Sequence, residues 1–259
     1  MVNQSIKRTS LFSIIIAFNA QSLLRFLMPC LVAVIASSCA TGSCQREPAH
    51  AEVESNLPRW GQVVDPDGDC KFFVAQDTLL IHVPGSAHAH DLAAEIDRVN
   101  APRVLRQVKG DFTIQVRVDG RFAPGEESTQ ENRVGYNGAG LVVMANPQNV
   151  VTLARAVLQH PGEGPVPYAN FEIRINGNLQ RIGMTGDHPL PKTGPVFLRL
   201  QRRGSKITGA VSLNGDHWDE LGSRKIPNKW RKKLQAGVVA ISTSTEEFNP
   251  QFSEFKISK

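Results

Sequence analysis

The chain has 259 residues, of which 41% are hydrophobic and 20% charged, so it contains enough apolar side chain to bury a globular core. Its formal net charge is +5, but Lys7, Arg8 and Arg25 lie within the first 38 residues, which contain no acidic side chain. The rest of the chain is therefore close to neutral, which argues against a nucleic-acid-binding protein.

The N-terminal segment 1–38 has the pattern of an export signal. Basic residues precede the apolar run 26–36, and the small residues Ser37 and Ser38 follow it. A permanent membrane span would have to include Arg25, which costs roughly 2.5 to 3.5 kcal/mol at the centre of a spanning helix. The pattern therefore predicts a cleaved signal peptide rather than a membrane span.

Cys39 is a candidate site of lipidation. The sequence Ala-Ser-Ser-Cys at 36–39 is similar to a bacterial lipobox, in which small residues precede a cysteine that is lipidated and becomes the new N-terminus. Ala36 stands where leucine is usual, so free secretion remains an alternative. The protein is thus expected to be exported, as an outer-membrane or periplasmic lipoprotein or in secreted form, with membrane contact only through its signal or lipid anchor.

Residues 39–56 predict a flexible linker, because they show no hydrophobic period, and the folded domain is predicted to cover 57–259. In an oxidising compartment, Cys44 and Cys70 could pair. Alternatively, Cys70 remains a buried thiol and Cys44 stays unpaired in the linker.

From Trp60 onward the dominant hydrophobic period is two, which indicates strands with one buried face. Residues 150–158 also predict a strand, because they are rich in β-branched side chains, whereas the connection 86–100 predicts one short helical turn. The clearest alternation is found in three groups of apolar residues: Phe112, Ile114, Val116 and Val118; Phe171, Ile173 and Ile175; and Val196, Leu198 and Leu200.

Five dipeptides that end in glycine predict turns, since glycine supplies the positive φ that tight hairpins need. They are Asp119-Gly120, Asn137-Gly138, Asn176-Gly177, Arg203-Gly204 and Asn214-Gly215. With many hairpins and no crossover helices, the strands must cover one another's apolar faces. The sequence therefore predicts an all-β fold in which two antiparallel sheets stack as a sandwich or jelly roll.

A series of motifs follows in a characteristic order along the chain. They are Trp60-Gly61, the DPDGDC sequence from Asp65 to Cys70, Val83-Pro84-Gly85, His90-Asp91-Leu92, the NAPR sequence from Asn100 to Arg103, Gly110-Asp111-Phe112, the GAGL sequence from Gly138 to Leu141, the SLNGDHW sequence from Ser212 to Trp218, and the closing segment from Phe252 to Ile257. This order resembles a bacterial family of uncharacterised concanavalin A-like domains, which is related to a domain described as regulating enolase and belongs to the lectin/glucanase superfamily. The resemblance implies a concanavalin A-like sandwich but leaves the activity open, because lectins, glycan-binding modules and hydrolases share this scaffold.

The resemblance also directs attention to the carboxylates that a glucanase would need. Glycoside hydrolases use two carboxyl groups about 5 to 9.5 Å apart, which glucanases of this superfamily place on one strand as Glu-x-Asp-x-x-Glu. The nearest segment is 95–100, in which Asn100 stands in place of the last carboxylate. An amide cannot transfer a proton at neutral pH, so no catalytic residue is predicted and a binding module is favoured over an enzyme.

Two segments suggest metal ligands. Asp65, Asp67 and Asp69 alternate around a glycine and predict a calcium site; alternatively, they form a turn whose side chains cap its own backbone. His88 and His90, followed by Asp91, suggest a transition-metal site or solvated loop histidines. Apart from calcium, no cofactor is predicted.

Two tryptophans lie in segments with alternative interpretations. Asn214-Gly215 predicts a two-residue hairpin turn, with Trp218 packing on the preceding strand rather than stacking on a sugar. The basic cluster 225–233 around Trp230 is either a solvated loop or a contact for an acidic polysaccharide or phospholipid surface.

Polar residues whose chain neighbours point into the core are expected to face outward and contact a ligand. They are His82, Asn100, Arg103, Arg117 and Arg174. The predicted function is binding of carbohydrate or of another cell-envelope or extracellular ligand. A glycoside-processing enzyme with a non-standard active site and a structural envelope protein remain alternatives, and the ligand and the oligomeric state stay open.

Overall fold

The computed structural model describes residues 56–85, 88–183, 186–231 and 234–259; the export segment, Cys39 and Cys44 lie outside them. Antiparallel strands make up most of the described chain, and the predicted two-sheet sandwich is confirmed. Within these ranges the helical residues form two short 3₁₀ turns, Ala94–Ile96 and Asn228–Arg231. No helix among the described residues is long and apolar enough to cross a membrane.

The two large sheets contain eight and seven strands. In spatial order, the eight-stranded sheet consists of β1 (Asn56–Leu57), β2 (Gly61–Val64), β7 (Arg103–Val108), β16 (Leu234–Ser242), β9 (Gly135–Asn146), β10 (Asn149–Gln159), β11 (Val166–Ile175) and β12 (Asn178–Arg181). The seven-stranded sheet consists of β15 (Asp219–Lys225), β14 (Lys206–Ser212), β13 (Val196–Arg203), β8 (Phe112–Asp119), β17 (Gln251–Ser258), β4 (Thr78–His82) and β3 (Lys71–Ala75). A small third sheet pairs β5 (Leu92–Ala93) with β6 (Arg98–Val99).

The main core lies between the two large sheets. Alternate residues of β8 and β13 are buried there, as the two-residue period predicts, and they face the inward residues of β9, β10 and β11. Leu141 and Leu198, for example, come from opposite sheets and are both fully buried. The predicted strand over 150–158 is confirmed as β10, and the predicted helical turn in 86–100 is confirmed as Ala94–Ile96.

The glycine-containing turns follow the prediction in part. Asn176-Gly177 joins β11 to β12 with positive φ at both residues, as expected. The prediction for Asn137-Gly138 was wrong, because both residues lie inside β9. Asn214-Gly215 does form a turn, but the connection from β14 to β15 spans 213–218 and is longer than a two-residue hairpin.

The outer face of the eight-stranded sheet carries a second hydrophobic cluster. Residues 88–101, which we call the cover segment, contain β5, β6 and the first 3₁₀ turn. Leu92 and Ala101 of this segment are fully buried against Val142, Val239 and other residues of the sheet. The cover segment therefore shields one part of this face from solvent, and its edge forms a step on the surface of the sheet.

Candidate functional site

A pocket of about 310 Å³ lies on the outer face of the eight-stranded sheet, next to the cover segment. Its volume falls at the lower end of the range usual for small-molecule sites. The period of two along β11 places Tyr168, Asn170, Glu172 and Arg174 on the pocket side, while the residues between them enter the core. The loops add Asp91, Gln130, Asn132, Arg133 and Val134 to the lining.

Tyr136 forms an aromatic part of this lining, and Gly138 makes room for it. The two residues point to the same face of β9, and a Cβ atom at Gly138 would overlap the Tyr136 hydroxyl and lie 2.8 Å from ring atoms. Asn170 Nδ2 donates a hydrogen bond to the Tyr136 oxygen at 3.2 Å. Burial, with Tyr168 and Glu172 nearby, raises the pKa of Tyr136 well above its usual value, so its phenol stays protonated and can donate.

A chain of ion pairs fixes another part of the pocket lining. Arg174 donates to both carboxylate oxygens of Glu95, at 2.8 and 3.1 Å, and its third nitrogen donates to Glu172 at 3.0 Å. Arg181 donates to the other Glu172 oxygen at 3.1 Å. Although burial alone would lower the pKa of Arg174, these carboxylates raise it above its ordinary value. The bidentate pair fixes the plane of the guanidinium, so the polar wall is rigid.

Glu95 makes stability depend on pH. Burial acts to raise its pKa, but the hydrogen bonds and charge of Arg174 outweigh burial and leave the pKa below its ordinary value. A carboxyl whose pKa is lowered by folding stabilises the native state above its unfolded pKa of about 4.3, and that contribution is lost as the pH falls through the folded pKa. We therefore expect Glu95→Gln to reduce the free energy of unfolding by on the order of 1 to 2 kcal/mol at pH 7.

The measurement is urea unfolding of the wild type and the Glu95→Gln variant at pH 7 and at about pH 3. The difference between the two proteins should shrink at the lower pH, because Glu95 of the unfolded wild type takes up a proton below its unfolded pKa and the ionised native state then loses part of its advantage. A difference that stays constant across this interval would contradict an ionised Glu95 in the folded protein.

Asp91 contributes a carboxyl group where the cover segment borders the pocket. One of its oxygens accepts a hydrogen bond from the backbone N–H of Leu92 at 2.7 Å, and the other accepts one from Gln130 Nε2 at 2.9 Å. Burial nevertheless raises the pKa of Asp91 above its ordinary value. Both oxygens are thus held in place, with the 130–134 loop tied to the cover segment.

The comparisons with known proteins bear on the fold. No protein-family model and no curated protein matches the chain. Among solved structures, it is similar to a functionally unknown protein from Saccharomyces cerevisiae, with a TM-score of 0.56 and 15% identity over 77% of this chain and 96% of that one. It is also similar to the GH43 protein BlXynB from Bacillus licheniformis, with a TM-score of 0.56 and 16% identity over 79% of this chain but 37% of that protein.

At these identities, the likeness establishes a shared β-sandwich fold and nothing finer. The sequence resemblance to the family of uncharacterised concanavalin A-like domains therefore stays a prediction.

Among the five outward-facing residues predicted from the sequence, Arg174 lines the pocket. Asn100 lies at the end of the cover segment, where its amide bonds the backbone of Ala89 and Asp91 and the carboxylate of Asp67. Arg103 is buried beneath this segment and donates to the carbonyl oxygen of Ala101 at 2.7 Å. Asn100 and Arg103 thus hold the cover segment and are not part of the pocket lining.

The other two predicted residues lie on the seven-stranded sheet. His82 donates from Nδ1 to Asn249 at 2.7 Å, and Arg117 donates to Asp119 at 3.0 Å and to Ser253 at 3.4 Å. The structure therefore does not bring the five residues together in one site.

Besides Arg174, the pocket contains several residues that the sequence analysis did not predict as ligand contacts. Glu172 and Arg174 alternate with the core residues Phe171 and Ile173, and extending the same alternation backward adds Asn170 and Tyr168 to the outward face. That signal is visible in the sequence. The contribution of Asp91 is not visible, because it depends on where the cover segment folds.

The two suggested metal-binding segments meet in space. Asp65 accepts a hydrogen bond from the Cys70 backbone N–H at 3.0 Å, as the turn interpretation expects. Asp69 instead accepts a hydrogen bond from His90 Nε2 at 2.9 Å, and Asp67 and His88 lie beside this pair. The Cys70 thiol is half-buried, and burial together with the neighbouring aspartates raises its pKa, so it stays protonated.

Trp218 and Trp230 both pack against other parts of the protein. Trp218 follows β14 but packs against Arg199 of β13, the neighbouring strand one further back in the chain, with the guanidinium 4.0 Å from the ring centre. Its Nε1 donates to the Gly215 carbonyl oxygen. Trp230 is buried in the main core.

Proposed function

We propose that this protein binds carbohydrate in the pocket beside the cover segment. The observation that carries the proposal is the combination of tyrosine rings with fixed hydrogen-bonding groups on one open face. Sugars present apolar ring faces together with hydroxyl groups that donate and accept hydrogen bonds. Tyr136 and Asn170 supply such partners from the sheet, while Glu172 and Arg174 do so from the ion-pair chain.

Preorganisation supports a binding role for these groups. Arg174 and Glu172 are 4% and 7% exposed, and both are held by charged partners before any ligand arrives. A ligand that binds to groups already ordered does not have to supply the free energy of ordering them. The pocket therefore suits a short, specific contact, such as the end of a glycan chain.

The N-terminal pattern supports a location outside the cytoplasm, where such glycans are found; this part of the proposal rests on residues 1–39.

Screening the full chain on a glycan array tests the proposal. We expect retention on a restricted set of glycans and an increase in melting temperature with the same glycans, since a ligand selective for the folded state stabilises it. Asn170→Leu should weaken binding by roughly tenfold or more, because it removes hydrogen-bonding groups from the pocket while keeping the number and branching of the side-chain heavy atoms.

The matched control is Gln115→Leu, which makes a similar amide-to-leucine change on β8 of the other sheet. This variant should bind as the wild type does. If the wild type bound no glycan, or if both variants lost binding equally, carbohydrate recognition by this pocket would be rejected.

A glycoside-processing enzyme is the second candidate, and it is favoured by the two carboxyl groups, Asp91 and Glu172, that line the same pocket. Glycoside hydrolysis needs two such groups. If the protein is such an enzyme, incubation with a glycan that the array identifies should release sugar reducing ends. The Asp91→Asn and Glu172→Gln variants should not release them. Retention without any release supports the binding module instead.

A further inference from the structure

A second polar cluster lies outside the pocket, where two loops meet. Asp67 and Asp69 come from the loop between β2 and β3, and His88 and His90 come from the start of the cover segment. His90 Nε2 lies 2.9 Å from an Asp69 oxygen and 3.9 Å from an Asp67 oxygen, and His88 Nε2 lies 3.5 Å from the other Asp69 oxygen. We propose that these four residues bind a divalent transition-metal ion of the zinc class.

The spacing of the four side chains fits such an ion. Zinc binds nitrogen and carboxylate oxygen at about 2.0 to 2.2 Å in a tetrahedron, which places neighbouring ligand atoms roughly 3.3 Å apart. The ligand atoms of Asp67, His88 and His90 all lie within 4.8 Å of one another. Asp69 contacts the two histidines through its two different oxygens, at 2.9 and 3.5 Å, so its side chain must turn to present one oxygen to an ion shared by the four residues.

The chemistry of the ligands favours zinc over calcium. Calcium takes 6 to 8 oxygen ligands. The side chains here form two groups that share His90, one with Asp67 and His88 and the other with Asp69 and Cys70, so imidazoles and a thiol stand beside the two carboxylates. Asp65, the third aspartate of the loop, directs one oxygen to the backbone of Cys70, which makes it a turn-forming residue. Imidazole together with carboxylate is a ligand set that suits zinc and its neighbours in the transition series.

Surrounding contacts already orient the ligands. The His90 side chain is 1% exposed, and its backbone exchanges two hydrogen bonds with Ser242 of β16, at 2.9 and 3.0 Å. Asn100 Nδ2 donates to the Asp67 carboxylate at 2.6 Å. Outer contacts of this type fix the direction of metal ligands and strengthen binding.

An ion at this position would link the β2–β3 loop to the cover segment. The residue after His90 is Asp91, which borders the pocket. Metal binding would therefore stabilise one wall of the pocket without supplying a ligand-binding group itself. The metal site and the carbohydrate site are separate proposals, and either can hold without the other.

Zinc titration of the full chain, first treated with a chelator that is then removed, tests this proposal. We expect one zinc ion to bind per chain and to raise the melting temperature, since the metal is selective for the folded state. His90→Gln and His88→Gln should each weaken zinc binding by tenfold or more. His88 is about half exposed, so its replacement gives a result even if the His90 variant fails to fold.

His82→Gln is the matched control, because His82 lies on β4 and bonds Asn249 outside the cluster. Zinc affinity should be unchanged in this variant. The proposal is overturned if the wild type shows no saturable zinc binding, if His88→Gln binds zinc as the wild type does, or if calcium but not zinc raises the melting temperature.

Discussion

Replacing Arg174 with methionine is expected to lower the free energy of unfolding by about 3 to 5 kcal/mol, because it removes the cation from a buried group of carboxylates. Arg174 is 4% exposed and bonds both Glu95 and Glu172. Without it, Glu172 keeps one charged partner among the described residues, Arg181, and buried Asp91 loses a nearby positive charge. Glu95 is less buried and can regain water, so most of the loss comes from the other two groups.

Arg181→Met is the matched control for this prediction. It makes the same substitution in another residue that bonds Glu172, but the Arg181 side chain is 54% exposed. An exposed ion pair contributes about 1 kcal/mol or less, so the control should lose little stability. Urea unfolding at pH 7 measures the free energy of unfolding of both variants. Equal losses of stability would show that the burial of Arg174 does not increase its contribution to stability.

A double variant separates the charge effect from packing. Glu172→Leu combined with Arg174→Met replaces a buried ion pair with apolar side chains, which often restores stability. We expect the double variant to recover part of the loss seen in Arg174→Met. No recovery would indicate that the loss comes from packing of the arginine side chain rather than from an unpaired carboxylate.

The fold could be predicted from the sequence because it depends on a local signal. The alternation in β8, β11 and β13 reports which face of each strand is buried, whatever the partner strand is. Turn prediction is less secure, since glycine serves two purposes in this chain. Gly177 supplies a positive φ in a turn, whereas Gly138 lies in a strand and leaves space for the Tyr136 ring.

The candidate site could be predicted only in part, because it depends on contacts between distant residues. Arg174 has the outward direction that its neighbours imply, but its partner Glu95 lies 79 positions earlier in the chain. Asp69 and His90 likewise come from different loops. No local pattern indicates that such residues meet, and their contacts arise only once the cover segment docks on the outer face of the sheet.

Gly237 in β16 is a position where even a small substitution is expected to damage the sheet severely. β16 pairs with β7 on one side and with β9 on the other. A Cβ atom at Gly237 would overlap the Val104 carbonyl oxygen of β7 and lie 2.9 Å from its carbonyl carbon and 3.1 Å from Leu105 Cα. These are backbone atoms of a paired strand, so they cannot move aside as a flexible side chain can.

We therefore expect Gly237→Ala to lower the free energy of unfolding by at least about 3 kcal/mol, at or above the usual range for overpacking. Gly164→Ala is the control, because a Cβ there meets no atom within 4 Å and its backbone needs no positive φ. Urea unfolding should show a large loss for the first variant and almost none for the second. Ile241 and Thr243, near the end of the same strand, line the pocket, so Gly237→Ala should also weaken any glycan binding. A Gly237→Ala variant with the stability of the wild type would mean that β16 and β7 do not approach as closely as described.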